Sequence, residues 1–220
     1  MSQEILTETL PSRIVPTTFS EKILPKEKMS FEEFLDWLDE DTWAEWVDGE
    51  ITIMSPASIK HQILAAFLQS ILQHWIEHHK AGIVFPAPTL MKTETRPSGR
   101  EPDVLFVAKE NLGKLRENYL EGAADLIIEI ISPESVFRDT QDKFAEYEAA
   151  GVKEYWIIDY NRRTANFYGF DENKKYKLLS LSADKRFESR VIEGLWINTE
   201  WLWQEPLPNL MDVLKEWKLV

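Results

Sequence analysis

The chain has no cysteine, which excludes disulfides and any thiolate metal site. It has no apolar run long enough to cross a bilayer, and no charged-then-apolar segment at its start. No membrane association and a cytoplasmic location are the expectations. Basic residues are scarce: 25 Lys and Arg stand against 38 Asp and Glu, a formal net charge of −13. Nucleic-acid binders usually carry the opposite balance, because phosphate neutralisation drives their affinity. The bulk charge therefore counts against tight non-specific binding and leaves only a local basic patch for such a role. A solvated acidic surface is the commoner source of the imbalance; carboxylates gathered around a metal are another.

What is present suits one domain with a sizeable core, since 44% of the 220 residues are hydrophobic and 12% aromatic. Residues 1–28 are interrupted by Pro11, Pro16 and Pro25 and show no sustained period, which predicts an extended arm before a single domain over 29–220. Ser30-Phe31-Glu32-Glu33 is a capping box and predicts a helix through about Glu40, with Phe31, Phe34, Leu35 and Leu38 on its apolar face. Asp48-Gly49 predicts a two-residue hairpin turn between Trp43–Val47 and Glu50–Met54. That turn sets Trp46 against Ile51 and Ala44 against Ile53 as an apolar face, and puts Glu45 on the opposite one.

A long helix is predicted over about Ser58–Lys80, with Ile59, Ile63, Leu64, Phe67, Leu68, Ile71, Leu72 and Trp75 as its stripe. Short strands follow near Ile83–Phe85 and Thr89–Lys92, then one at Asp103–Val107. Lys109–Gly122 reads as a polar helix or loop. A helix over about Arg138–Ala150 ends at Gly151 as a left-handed cap, with Phe137, Thr140, Phe144 and Tyr147 inward and Lys143 at its edge. Strands are predicted at Glu154–Tyr160, Arg163–Phe170, Tyr176–Leu181 and Arg186–Ile192, and a last helix at about Leu210–Lys218.

One residue breaks this pattern. Asp125-Leu126-Ile127-Ile128-Glu129-Ile130-Ile131-Ser132 reads as a strand buried on both faces, and Glu129 sits inside it with no basic neighbour. An unpaired buried carboxylate costs several kcal/mol, so a cation, a metal ion or a shifted pKa must compensate it. Pro102-Asp103 opens a second apolar strand upstream, and Lys143 follows on a helix. Two strand-borne carboxylates and a lysine suit a divalent metal and an activated water.

The motifs, in order, are Glu45-Trp46-Val47-Asp48-Gly49-Glu50, His61, Glu101-Pro102-Asp103-Val104, Ile128-Glu129-Ile130-Ile131-Ser132-Pro133, Asp142-Lys143 through Tyr147, and Ala150-Gly151-Val152-Lys153-Glu154-Tyr155-Trp156-Ile157-Ile158-Asp159. The series resembles the PD-(D/E)XK nuclease superfamily. More narrowly, it resembles the putative restriction endonuclease family that long carried a domain-of-unknown-function label. The resemblance implies an α/β, restriction-endonuclease-like mixed β-sheet flanked by helices, with an N-terminal helix and hairpin. It implies a metal-dependent DNA endonuclease with Asp103 and Glu129 as ligands of Mg²⁺ (or Mn²⁺) and Lys143 orienting water. The superfamily's lysine usually lies two residues after the second acid, where this chain has Ile131. In the family it resembles, the lysine has moved to the following helix, which Lys143 fits.

Each assignment has a plainer alternative. Glu129 can be an ion-pair partner of Lys143, and Asp103 a strand-start residue bonding local amides; their pairing favours the metal. Lys143 can be a surface partner of Asp139 one turn away; as an edge-of-helix lysine reaching the cleft, its removal is still expected to change stability little. Glu45 either completes the site or is solvated. His61 is either a core histidine bonded to a carbonyl or a residue supporting the metal ligands. His74, His78 and His79 suit the dipole at a helix end. Lys92, Arg96 and Arg100 form either a local phosphate patch or a solvated loop. Trp196, Trp201, Trp203 and Trp217 read as a C-terminal core or a homodimer contact ahead of a stacking surface. The alternative to an enzyme is a catalytically silent nuclease-fold interaction module, which the net charge and Ile131 favour; a third reading is hydrolysis of a non-nucleic phosphoester.

Overall fold

The computed structural model describes residues 24–25, 27–39, 41–132 and 135–220. The expected arm therefore lies almost wholly outside the described residues. The capping box forms as predicted: Ser30 Oγ accepts from the Glu33 amide and Glu33 returns a bond to the Ser30 amide, opening α1 (Phe31–Trp37). The helix ends at Trp37, three residues short of the predicted Glu40. β1 (Ala44–Val47) and β2 (Glu50–Ile53) pair with Trp46 opposite Ile51 and Ala44 opposite Ile53. Asp48 and Gly49 both take positive φ, 51° and 89°, as a type I′ turn requires.

α2 (Ile59–His79) is capped by Ser58 and ended by Lys80 in the left-handed region. β3 (Gly82–Pro86), β4 (Leu90–Thr93), β5 (Ser98–Arg100) and β6 (Val104–Ala108) follow. A 3-10 turn at Lys109–Lys114 leads to β7 (Tyr119–Glu121) and β8 (Leu126–Ile130). A π-helical turn, Arg138–Asp142, runs into α3 (Lys143–Ala150), and Gly151 caps it at φ 97°. β9 (Glu154–Asp159), β10 (Thr164–Phe170), β11 (Tyr176–Leu178), β12 (Arg186–Glu188), β13 (Trp196–Asn198) and α4 (Leu210–Glu216) complete the order.

The central sheet runs β11-β10-β9-β8-β6-β3, with β8 and β9 parallel and the other pairs antiparallel. A second mixed sheet runs β2-β1-β5-β4-β7. Strand parity divides the core. Val104, Phe106, Leu126, Ile128, Ile130, Trp156 and Ile158 pack on one face with Leu64, Leu68, Leu72 and Trp75 of α2. Leu105, Val107, Ile127, Ile131, Tyr155 and Ile157 pack on the other with Tyr147 of α3 and Met91 and Leu120 of the second sheet. Asp103 and Glu129 share the odd parity of this second set. Glu129 therefore lies in the layer that α3 covers, while Asp103, just before β6, reaches His61 at the start of α2.

Several expectations are corrected here. Ile59 and Ile63 are exposed, at 80% and 54%. At about 100° per residue, Ile59 falls opposite the centre of the face formed by Leu64, Leu68, Leu72 and Trp75. The hairpin's two faces are not one apolar and one wet. β1 is an inner strand between β2 and β5, so Ala44, Glu45 and Trp46 are all buried while Ile53 is exposed. Lys109–Gly122 contains a strand, β7. β5 and β13 also had no strand signal, since three residues are too few to show alternation. Phe137 is 70% exposed and Lys143 1%, the reverse of the predicted order, because the π turn changes the helix phase ahead of α3. The tryptophans form the C-terminal core: Trp217 meets Trp75, Trp196 and Trp201 edge-on, and its indole N–H donates to the Trp196 carbonyl. Among the described residues no helix is long and apolar enough to cross a membrane.

Candidate active site

The strand that carries Glu129 positions it deep between β8 and α3. Lys143 Nζ lies 2.8 Å from Glu129 Oε1 and 2.9 Å from Glu45 Oε1, with Asp139 Oδ1 at 3.8 Å. The Tyr147 hydroxyl, one turn along α3, donates to the same Glu129 oxygen at 2.9 Å. The lysine is therefore not a surface partner of Asp139. It is the cation that a carboxylate at Glu129 demands.

Glu45 is held as firmly from its other side. Arg100 Nη1 donates to Glu45 Oε2 at 2.8 Å, while its Nε and Nη2 grip Glu146. Ser98 Oγ also donates to Glu146 and meets Thr93 Oγ1 at 2.8 Å. A buried chain of charges thus runs from Thr93 through Glu146, Arg100, Glu45 and Lys143 to Glu129. Arg100 belongs to this chain and not to a phosphate patch. Lys92 pairs with Glu32 and Glu94, and Arg96 with Asp48, so these cations are paired with acids one by one and are not gathered as a phosphate patch. Glu45 is correspondingly not solvated.

Asp103, just before β6, accepts the Ile130 backbone N–H at 2.7 Å and lies 3.1 Å from His61 Nε2, both on Oδ2. Those bonds tie it to the end of β8 beside Glu129. His61 sits one turn into α2, its amide capped by Ser58, and meets a carboxylate where a core histidine would meet a carbonyl. Burial works against its imidazolium, but the Asp103 contact outweighs that and raises its pKa. Its Nδ1 is buried without a hydrogen-bond partner among the described residues.

Asp103, Glu129, Lys143 and His61 line one cleft of about 580 Å³, together with Glu101, Asp139 and Arg138. The last three were missed from sequence as site residues. Glu101 is two residues before Asp103, a spacing that keeps it on the same side of an extended chain. Asp139 is one turn before Lys143. Burial, aided by Glu45, pushes the Glu101 carboxyl up to about 7. Burial pushes Glu129 up to about 8 against the pull of Lys143, with Asp139, Asp103 and Glu45 adding to the rise. Burial would also raise Glu45, but Lys143 and Arg100 overcome it and hold that carboxyl at about 2. Lys143 itself is raised despite burial by Glu129, Glu45 and Asp139. It stays protonated, so it can donate but not accept a proton.

The donor set suits a hard divalent cation that keeps much of its water. Both hydrogen bonds to Glu129 end on Oε1 and both to Asp103 end on Oδ2, which leaves Oε2 and Oδ1 without a donor among the described residues. No three His, Asp or Glu side chains among those residues converge as a complete metal cage. Mg²⁺ is held by one or two carboxylates plus water in such sites, and Asp103 and Glu129 are donors of that kind.

A family model described as Uma2, putative restriction endonuclease, matches residues 31–200. The chain belongs to the Uma2 family. The match spans every residue placed in the cleft and stops before α4. Among solved structures, the chain is similar to the crystal structure of a putative nuclease belonging to DUF820 from Anabaena variabilis ATCC 29413. The TM-score is 0.66 at 16% sequence identity, over 80% of this chain and 97% of that one. At that identity the likeness speaks to the fold, a restriction-endonuclease-like α/β architecture of mixed sheets flanked by helices. No curated protein matches the chain. For this Uma2 chain, the expected trio Asp103, Glu129 and Lys143 lines one cleft, with His61 bonded to the first acid and Glu45 to the lysine. Ile131, at the superfamily's usual lysine position, is buried in the layer with Tyr147 and Tyr155, leaving that position no path to the cleft.

Proposed function

We propose that this chain is a divalent-metal-dependent endonuclease that hydrolyses DNA phosphodiester bonds in the Asp103–Glu129 cleft. The observation that carries the reading is the convergence of Asp103, Glu129 and a protonated Lys143 on one open cleft, in a chain of a restriction-endonuclease family. Asp103 and Glu129 would hold Mg²⁺, or Mn²⁺ in its place. The ion would polarise the phosphate and lower the pKa of a bound water.

The protein's own groups have separate tasks. Lys143 is catalytic: two of its three N–H donors are committed to Glu129 and Glu45, and the third can steady the attacking water or the charge growing on the phosphate. Glu45 is a positioning residue, fixing Lys143 from behind through the Arg100 anchor. His61 is a positioning residue for Asp103, holding its Oδ2 and leaving Oδ1 outside that contact.

The test is a Mg²⁺ and Mn²⁺ titration with supercoiled plasmid and with single-stranded DNA, beside Asp103→Ala and an EDTA control. Cleavage that needs metal and is lost in Asp103→Ala is the expected result. A wild type inert with every metal and DNA form would turn the reading toward a silent interaction module.

A pH prediction follows from the acids. A cation must displace the proton held by Glu129 up to about 8 and by Glu101 up to about 7. Mn²⁺ affinity should therefore climb between pH 6 and roughly 8.5 and level off above, with proton release on binding at pH 7. Calorimetry in two buffers of different ionisation heat measures that release. Affinity independent of pH across the window would contradict the assignment of Glu129 as a ligand.

A further inference from the structure

We infer that Arg138 is the residue that grips a non-bridging phosphate oxygen of the substrate strand. The inference rests on the nuclease reading and adds to it a substrate-binding residue that the metal and Lys143 do not supply.

Two cations besides His61 line the cleft, Lys143 and Arg138. Lys143 is committed to Glu129 and Glu45. Arg138 is held more loosely, its ion pair among the described residues being with Asp139. Among the described residues, its Nη1 meets the weakly accepting Met54 Sδ at 3.8 Å, and its buried Nε has no hydrogen-bond partner. Asp139 Oδ1, at 3.6 Å from Nε, is too far for a hydrogen bond and is itself unsatisfied. A guanidinium has five N–H donors in a planar fork. Leaving a buried one unmet is costly, and a phosphate is the group whose geometry matches that fork.

The backbone makes the placement specific. In a regular α-helix, residues five apart point about 140° from each other, given 3.6 residues per turn. Here the Lys143 amide bonds the Arg138 carbonyl five residues back, so the wider π turn stacks these two residues on one side. Such single π turns recur at functional sites. The effect here is to bring Arg138 to the cleft that Lys143 faces. Its side chain stays 31% exposed, within reach of a ligand. Lys92, Arg96 and Arg100 are paired with acids, so among the described residues that line the cleft Arg138 is the guanidinium with donors left for an anion.

The test compares wild type, Arg138→Met and Arg138→Lys. The methionine keeps a stem against Met54; the lysine keeps charge but loses the fork. Two readouts are taken: plasmid cleavage kinetics with Mg²⁺ or Mn²⁺, and fluorescence anisotropy of a labelled single-stranded oligonucleotide with CaCl₂ present. Thermal melting checks that each variant folds. For Arg138→Met the expected loss in kcat/KM and in oligonucleotide affinity is on the order of 10–100-fold, the worth of a charge-assisted hydrogen bond, with the change mainly in KM. Arg138→Lys should recover part of it, and Mn²⁺ affinity in the absence of DNA should not fall. An active wild type beside an Arg138→Met that cleaves and binds equally well overturns this inference and leaves the nuclease reading intact. A wild type that binds the oligonucleotide but does not cleave sinks the nuclease reading alone, and Arg138 is then judged on affinity. A wild type that neither binds nor cleaves overturns both.

Discussion

Glu129→Gln is expected to abolish divalent-metal binding and DNA cleavage while leaving a folded protein. The amide keeps the shape of the acid and keeps an oxygen for the Lys143 and Tyr147 donors. What it loses is the negative charge. The effect on stability has a definite sign. Burial holds the folded Glu129 carboxyl up to about 8, whereas an unfolded glutamate titrates near ~4.3. Between those values the folded state keeps a proton that the unfolded chain has released. Wild-type stability should therefore fall as pH rises through that window. Glu101, raised to about 7, acts in the same direction. Glu45, held at about 2, acts in the opposite one: its contribution is present above ~4.3 and is lost as pH falls toward 2. The windows do not overlap. Glu129→Gln should thus flatten the decline between about pH 5 and pH 8, and be as stable as wild type or more so at pH 8. Urea titrations at several pH values read this directly. A variant that unfolds at every pH would show that the charge of Glu129 holds the fold together.

Lys143→Ala should cost both turnover and stability. Loss of a charge-stabilising donor lowers turnover on the order of 10²–10³-fold. The stability effect reverses the expectation for an edge-of-helix lysine. Lys143 is fully buried between Glu129 and Glu45, and removing one partner of a buried pair leaves uncompensated charge, worth about 3–5 kcal/mol. Lowering the pH should restore part of that loss, because Glu129 then takes up a proton. Added Mg²⁺ should raise the melting temperature of Lys143→Ala more than that of wild type, since a cation would again neutralise the acids. A Lys143→Ala protein with a wild-type urea midpoint and wild-type turnover would show that the lysine supports neither.

The parts of this site that were legible in sequence are those carried by regular periodicity. The β6 and β8 strands announced themselves by apolar runs, and an acid inside one of them required a partner. The order of Asp103, Glu129 and Lys143 then gave the cleft its three central residues. What was not legible depended on pairings that leave no local mark. The burial of Glu45 comes from β5, three residues long and reading Ser-Gly-Arg, which sits beside β1 and delivers Arg100. Without that strand, Glu45 looks solvated and Arg100 looks free to bind phosphate. The depth of Lys143 and the place of Arg138 come from a π turn, and no residue in Arg138–Asp142 advertises a five-residue hydrogen bond. A regular helical phase put Phe137 inside and Lys143 at the edge.

The proposed chemistry requires that the carboxylates of Asp103 and Glu129 together hold a divalent cation. Calorimetric titration of Mn²⁺ into wild type, Asp103→Ala and Glu129→Gln at pH 8 tests it most directly. Saturable binding to the wild type and its loss in both variants, each still folded, is the expected result. Equal Mn²⁺ binding by all three proteins would contradict it.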